Sequence, residues 1–224
     1  MAYLSEADHR RISDAVAAAE ETTSGEIVTV LADRSDGYSD IALAWAAALA
    51  FLAMTILAWF GDWMLDLFDA LAGGWNHEWT TPGTLALFTA LTIAIFLLVW
   101  LVQLWSPVKF ALVPGKVKTA RVRERAVDLF KVGADRRTVG RTGVVIYLSL
   151  RERRAEIVAD AAINEMVPPE TWGEAMTDML DEIAEGRMAD GIIAGVADVG
   201  AILSQHFPRA DDDRNELLDR LVEL

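Results

Sequence analysis

Residues 143–160 read GVVIYLSLRERRAEIVAD, and this stretch decides the fold. Gly143 to Leu150 is almost continuously apolar and rich in β-branched side chains, as expected of a central strand covered on both faces. Arg154 to Asp160 reads as a second strand. The charged corner Arg151-Glu152-Arg153 joins the two, which predicts an antiparallel hairpin. Upstream, Glu26 to Ala32 (EIVTVLA) is short and β-rich, a third strand of the same sheet.

Helical patterns surround these strands. Ser5 followed by Asp8 resembles a capping box, and Ile12, Val16 and Ala19 then recur at helical spacing until Gly25 stops the run. Val117 to Val132 places Val122, Ala126, Leu129 and Phe130 on one face. Glu170 to Glu185 carries Trp172, Met176, Met179 and Ile183 as one stripe. Met188 to His206 does the same with Ile192, Val196, Val199 and Leu203. Helix, strand, helix, strand, strand, helix, helix is an α/β order, and one sheet covered by helices buries every apolar face. Strand order stays open at this level.

The 224 residues carry a net charge of −14 but a positive mean hydropathy of +0.26, so the apolar residues must be concentrated locally. They are, between the first strand and the next helix. Ile41 to Phe60 has no charged residue, and Thr84 to Trp105 has Gln103 as its one strongly polar member. About 20 helical residues cross a bilayer core, so each run predicts a transmembrane helix. The polar stretch Ser5 to Glu21 precedes both, and no cleavable leader is expected. The expected organisation is residues 1–40 as the first part of a domain, spans at 41–60 and 84–105, an external connection at 61–83, the rest of the domain at 106–208, and an acidic tail at 209–224. Within the connection, Met64, Leu67, Phe68 and Leu71 fall at helical spacing. An interfacial amphipathic helix and an ordinary loop anchored by Trp63, Trp75 and Trp79 both fit.

Charge sorts along the same boundaries. The connection holds four acids and no Lys or Arg, whereas residues 106–154 carry a net +9 and residues 155–224 a net −13. Basic residues near span ends predict cytoplasmic termini and an external connection. The basic block mixes Glu124 and Asp128 into its helix and has no stacking aromatics, so a lipid surface is the expected partner and nucleic acid is not. Absence of cysteine excludes disulfides, thiolate catalysis and cysteine-ligated metals.

Several phrases resemble the TPM-domain family: TTSGEIVTVL at 22–31, GRTGVVIYLSLRERRAEIVAD at 140–160, VPPETW at 167–172 and GRMADGIIAGVADVGAIL at 186–203. The whole looks like the bacterial membrane subgroup in which a two-helix transmembrane hairpin interrupts the domain. The resemblance implies an α/β/α sandwich. In that family some members bind calcium, a plant thylakoid member is described as an acid phosphatase, and a nematode relative is an accessory protein of a receptor channel.

Motifs for defined chemistries are missing: there is no P-loop, His-Glu-x-x-His, Gly-x-Ser-x-Gly or CxxC. Asp160 closes a strand and Glu26 opens one, and acids at strand ends are where Ca²⁺ or Mg²⁺ finds oxygen ligands. Asp33, Asp36 and Asp40 are further candidates for that site, and helix capping is the competing role for Asp160. Gly140 to Gly143 could cradle an anion or simply turn into the strand. Asp211, Asp213 and Asn215 begin like a calcium loop, but Glu216 stands where glycine is required. Leu217, Leu218, Leu221 and Val222 are expected to dock back on the domain. The leading expectation is a non-catalytic membrane module that binds or regulates other membrane proteins. The alternative is a weak divalent-metal-dependent phosphatase.

Overall fold

The computed structural model describes residues 3–72, 79–133, 142–210 and 220–224. The chain divides into two units, Met1–Asp36 with Gly115–Leu224, and Gly37–Pro114.

The first unit is an α/β/α arrangement. Its sheet contains β1 (Glu26–Ala32), β2 (Gly143–Ser149), β3 (Arg154–Ala159) and β4 (Val222–Glu223), in the order β3-β2-β1-β4. The expected hairpin is present, with β2 and β3 antiparallel from Val144 opposite Ala159 to Ser149 opposite Arg154. β1 runs parallel to β2, with Glu26 opposite Gly143. Parallel neighbours need a long crossover, and here it contains the entire second unit.

Side chains alternate across this sheet. Ile27, Leu31, Val144, Ile146 and Leu148 enter one core, closed by α1 (Glu6–Glu20), α7 (Pro169–Ala184) and α8 (Met188–His206). Val30, Ala32, Val145 and Tyr147 enter another beneath α5 (Gly115–Gly133), where they meet Val122, Ala126 and Phe130. That two-sided burial explains why β2 lacks polar alternation. Of the stripe expected on α7, Trp172 and Met179 are buried, and the four core residues expected on α8 are all fully buried. A short helix, α6 (Ala161–Met166), fills the passage from β3 to α7.

The docking of Leu221 takes the form of a strand. Leu221 is buried, Val222 pairs with Val30, and Glu223 accepts from the backbone N–H groups of Tyr3 (3.0 Å) and Leu4 (3.2 Å). His9 Nε2 lies 3.1 Å from the same carboxylate.

The second unit is built on α2 (Ser39–Ala72) and α3 (Thr81–Val102), followed by the short α4 (Ser106–Leu112). The helical run of α2 continues past residue 60 through Ala72, broken only at Phe60, whose φ of −120° and ψ of 27° leave the helical region. So residues 61–72 continue the first apolar helix as a helix and not as a loop. Ala42, Ala46, Ala50 and Leu57 are its buried residues, and small side chains let neighbouring helices approach closely. Gln103, buried at the far end of α3, donates to Ala42 O at 3.0 Å and Val99 O at 3.1 Å, which satisfies its amide. The N1 position of α4 is preceded by Trp105 and its turn is anchored by a Tyr38–Phe110 edge-on contact at 5.4 Å.

Among the described residues three helices are long and apolar enough to cross a membrane: Ser39–Leu71, Thr81–Val102 and Met188–His206. Their exposure separates them. α8 buries its apolar face in the α/β core, whereas α3 buries no residue at all and α2 exposes Phe51, Trp59 and Trp63. A helix that is apolar all round needs a lipid-like surrounding or another protein surface.

Candidate functional site

The two predicted acids lie at one end of the sheet, beside the amino ends of β1 and β2. Glu26 lies opposite Gly143 in register, and its N–H donates to Thr142 O at 3.1 Å. On the other side of β2, Asp160 N–H donates to Gly143 O at 3.0 Å. Glu26 on β1 and Asp160 just past β3 therefore flank Gly143 of the intervening strand β2. Both acids are buried, 5% and 4% exposed, although neither lies in the apolar core clusters.

The surrounding backbone is stitched tightly. Thr142 Oγ1 donates to Ser24 O at 2.7 Å, and Glu20, at the end of α1, accepts from Ile27 N–H at 2.8 Å. Thr23 Oγ1 donates to Phe207 O and accepts from Gly25 N–H at 3.0 Å. Asp160 stands at the first position before α6, but its carboxylate makes no capping bond. Its main-chain oxygen instead accepts from Ile163 and Asn164. The capping role is therefore not what the carboxylate does. Oδ2 of Asp160 is buried without a hydrogen-bond partner, which costs about 1–3 kcal/mol unless something polar meets it.

Asp33, Asp36 and Asp40 do not join this pair. Asp33 follows the opposite end of β1, about 20 Å along a seven-residue strand. Arg151 Nε donates to both its oxygens at 2.9 Å. Burial pushes the Asp33 carboxyl up, but hydrogen bonds from Arg151 and Tyr3 outweigh it and hold it below the usual range. Asp36 pairs with Arg121 at 3.2 Å, and Asp40 opens α2 in the other unit. Among the described residues no group of three or more His, Asp or Glu side chains is placed to hold a metal. Residues 140 and 141 of the glycine turn, His77, and Asp211, Asp213 and Asn215 lie outside the described residues.

The carboxyl end of the sheet holds a buried network that sequence reasoning missed. Glu152 is 3% exposed and accepts from Ser35 N–H at 2.9 Å and from Ser149 Oγ. Ser35 Oγ and Tyr147 OH are 3.0 Å apart, and burial pushes the Tyr147 hydroxyl above its ordinary range. On the α5 side, burial likewise raises Glu156, with Arg123 at 3.4 Å opposing it. Flanked by Arg151 and Arg153, Glu152 looked like part of a solvated corner; the left-handed turn at Arg153 (φ 51°) lets it fold back under β2.

Residues 111–202 match the TPM domain family model. The match supports a TPM fold. It covers α5, the β2–β3 hairpin, α6, α7 and most of α8. The BA42 protein of the psychrophilic bacterium Bizionia argentinensis, solved by NMR, is similar in structure with a TM-score of 0.57. That likeness covers 100% of this chain and 97% of BA42 at 18% identity, a similarity of fold alone. No curated protein matches the chain.

Proposed function

We propose that α2 and α3 anchor the chain in a bacterial inner membrane as a two-helix hairpin, with both termini cytoplasmic, and that the TPM-like unit is a non-catalytic module that binds or regulates other membrane proteins. The observation that carries the anchor is the exposure of apolar side chains along both helices, with Phe51 73% and Trp59 81% exposed. Polar solvent would not tolerate such surfaces at this density. The net +9 of residues 106–154 supports the orientation.

Natural absence of cysteine makes the topology directly measurable. A cysteine at Gly37, where an added Cβ meets nothing within 4 Å, is expected to resist an impermeant maleimide in intact cells. A cysteine replacing Trp75 is expected to react. Labelling of Gly37→Cys from outside would overturn the orientation.

The unpartnered oxygen of Asp160 favours one second reading, a divalent cation shared with Glu26. Two carboxylates fall short of the six to eight oxygens of Ca²⁺, but suit Mg²⁺, which is held by one or two carboxylates and keeps its waters. Bound there, Mg²⁺ would supply the charge that a phosphate-directed hydrolase requires; Asp160 and Glu26 would hold it. If this reading holds, Mg²⁺ at about a hundredfold over its Kd raises stability by about 2.7 kcal/mol, and Asp160→Asn abolishes the shift. Phosphatase turnover lost in the same variant would overturn the non-catalytic reading. An unchanged melting midpoint in wild type would remove the cation.

A further inference from the structure

The chain enters the second unit through a strained residue. Tyr38 has a φ of 51°, in the left-handed region, where a bulky side chain is an outlier. Among the described residues Arg153 is the other non-glycine case, and it lies exposed in a turn. Tyr38 is instead fully buried, immediately before α2. Gly37, one position earlier, could take such a conformation without penalty, yet its φ is not positive. The strain falls on the tyrosine.

A conformation of this kind persists where the surroundings over-determine it. The Tyr38 ring meets Phe110 of α4 edge-on, with centroids 5.4 Å apart. The main-chain oxygen of Tyr38 accepts from Ala42 N–H at 3.1 Å, a bond that opens α2. Lys109 Nζ donates to Gly37 O at 3.3 Å, and Trp45 Nε1 donates to Leu112 O at 3.2 Å. Lys109, Phe110 and Leu112 thus fasten α4 to residues 37–45, and all of these contacts lie inside the second unit. Rotation of the Tyr38 backbone to negative φ relieves the strain but withdraws the ring from Phe110. Backbone and side chain favour different states, which is what a bistable element requires.

We propose that Tyr38 and α4 form a strained latch at the base of the α2–α3 pair. In the latched state, the one in this structure, the Tyr38 ring is seated on Phe110. In the released state the Tyr38 backbone relaxes to negative φ and α4 leaves the first turns of α2, which uncovers Phe110 and frees the Trp45 indole. The latch needs neither the acidic pair nor a bilayer around the helices.

The chain has no cysteine, so paired nitroxide labels can be placed at Leu85→Cys and Ala111→Cys, both on exposed side chains. About 25 Å of α3 separates Leu85 from the end of that helix, a span suited to dipolar distance measurement. In the full chain in nanodiscs of zwitterionic lipid, the native latch is expected to give one dominant distance. Phe110→Ala, which removes the partner of the ring, is expected to raise the ratio of displaced to latched distances about tenfold. Lys109→Gln should move the ratio the same way by less, and carries the comparison alone if Phe110→Ala does not fold. Adding Tyr38→Gly to Phe110→Ala is expected to restore the latched distance, because glycine holds this φ without cost while the Lys109 and Trp45 bonds remain. A purely structural packing role predicts the reverse, a double variant looser than Phe110→Ala. That outcome, or distance distributions that neither Phe110→Ala nor Lys109→Gln changes, would sink the proposal.

Discussion

Gly191→Val is expected to destabilise the α/β unit by about 3 kcal/mol, the upper end of what overpacking costs. Gly191 sits in α8 where it crosses α7, and a Cβ there would lie 2.6 Å from the main-chain oxygen of Met179 and 2.7 Å from Ile183 Cγ1. A backbone oxygen cannot swing aside, so the helices must separate. Better helix propensity returns only about 1 kcal/mol or less. Gly173, in α7, has nothing within 4 Å of its built Cβ, so Gly173→Ala is expected to stabilise by about 0.5–1 kcal/mol. The pair predicts opposite signs for two glycines in adjacent helices. Thermal unfolding followed by near-ultraviolet dichroism reads both, with Gly191→Val lowering the midpoint by about 10 °C. A neutral Gly191→Val would mean that α7 and α8 do not cross at this point.

Glu152→Ala is expected to cost about 3 kcal/mol through a different route. The substitution leaves Ser35 N–H and Ser149 Oγ–H without their acceptor in a buried place, and each orphaned donor costs about 1–3 kcal/mol. Glu152→Gln keeps an acceptor oxygen of similar reach and should lose less than half as much. Hydrogen exchange at the Ser35 amide gives a second readout, faster in the alanine variant than in the glutamine variant. If the two variants are equally damaging, the negative charge and not the acceptor geometry holds the Ser35 segment in place.

Strand positions were legible because their chemistry is local. Gly143–Ser149 is apolar at both parities, and the structure buries it on both faces. Ile192, Val196, Val199 and Leu203 follow helical spacing, and all four reach the core. What escaped depends on distant residues. β4 is two residues long, too short to be read as a strand, and its conformation comes from β1 and from the contacts of Glu223 with Tyr3, Leu4 and His9. The candidate site was legible in part for the same reason. Asp160 and Glu26 each mark a strand end, but only strand direction reveals that they share one edge while Asp33 lies at the other. Glu152 could not be recognised, because burial of a charge at a polar corner is decided by the backbone turn beyond it.

The parallel pairing of β1 has a consequence for biogenesis. Glu26 leaves the ribosome long before Gly143, and longer still before Val222 pairs with Val30. At about 5–20 residues per second, β1 waits on the order of ten seconds with both edges bare while the two apolar helices are synthesised. The whole second unit is therefore synthesised before the sheet can close. Under the proposed membrane anchor, closure of the sheet would act as a checkpoint on insertion: a chain whose hairpin stalled would keep an unpaired strand, which quality-control proteases can recognise.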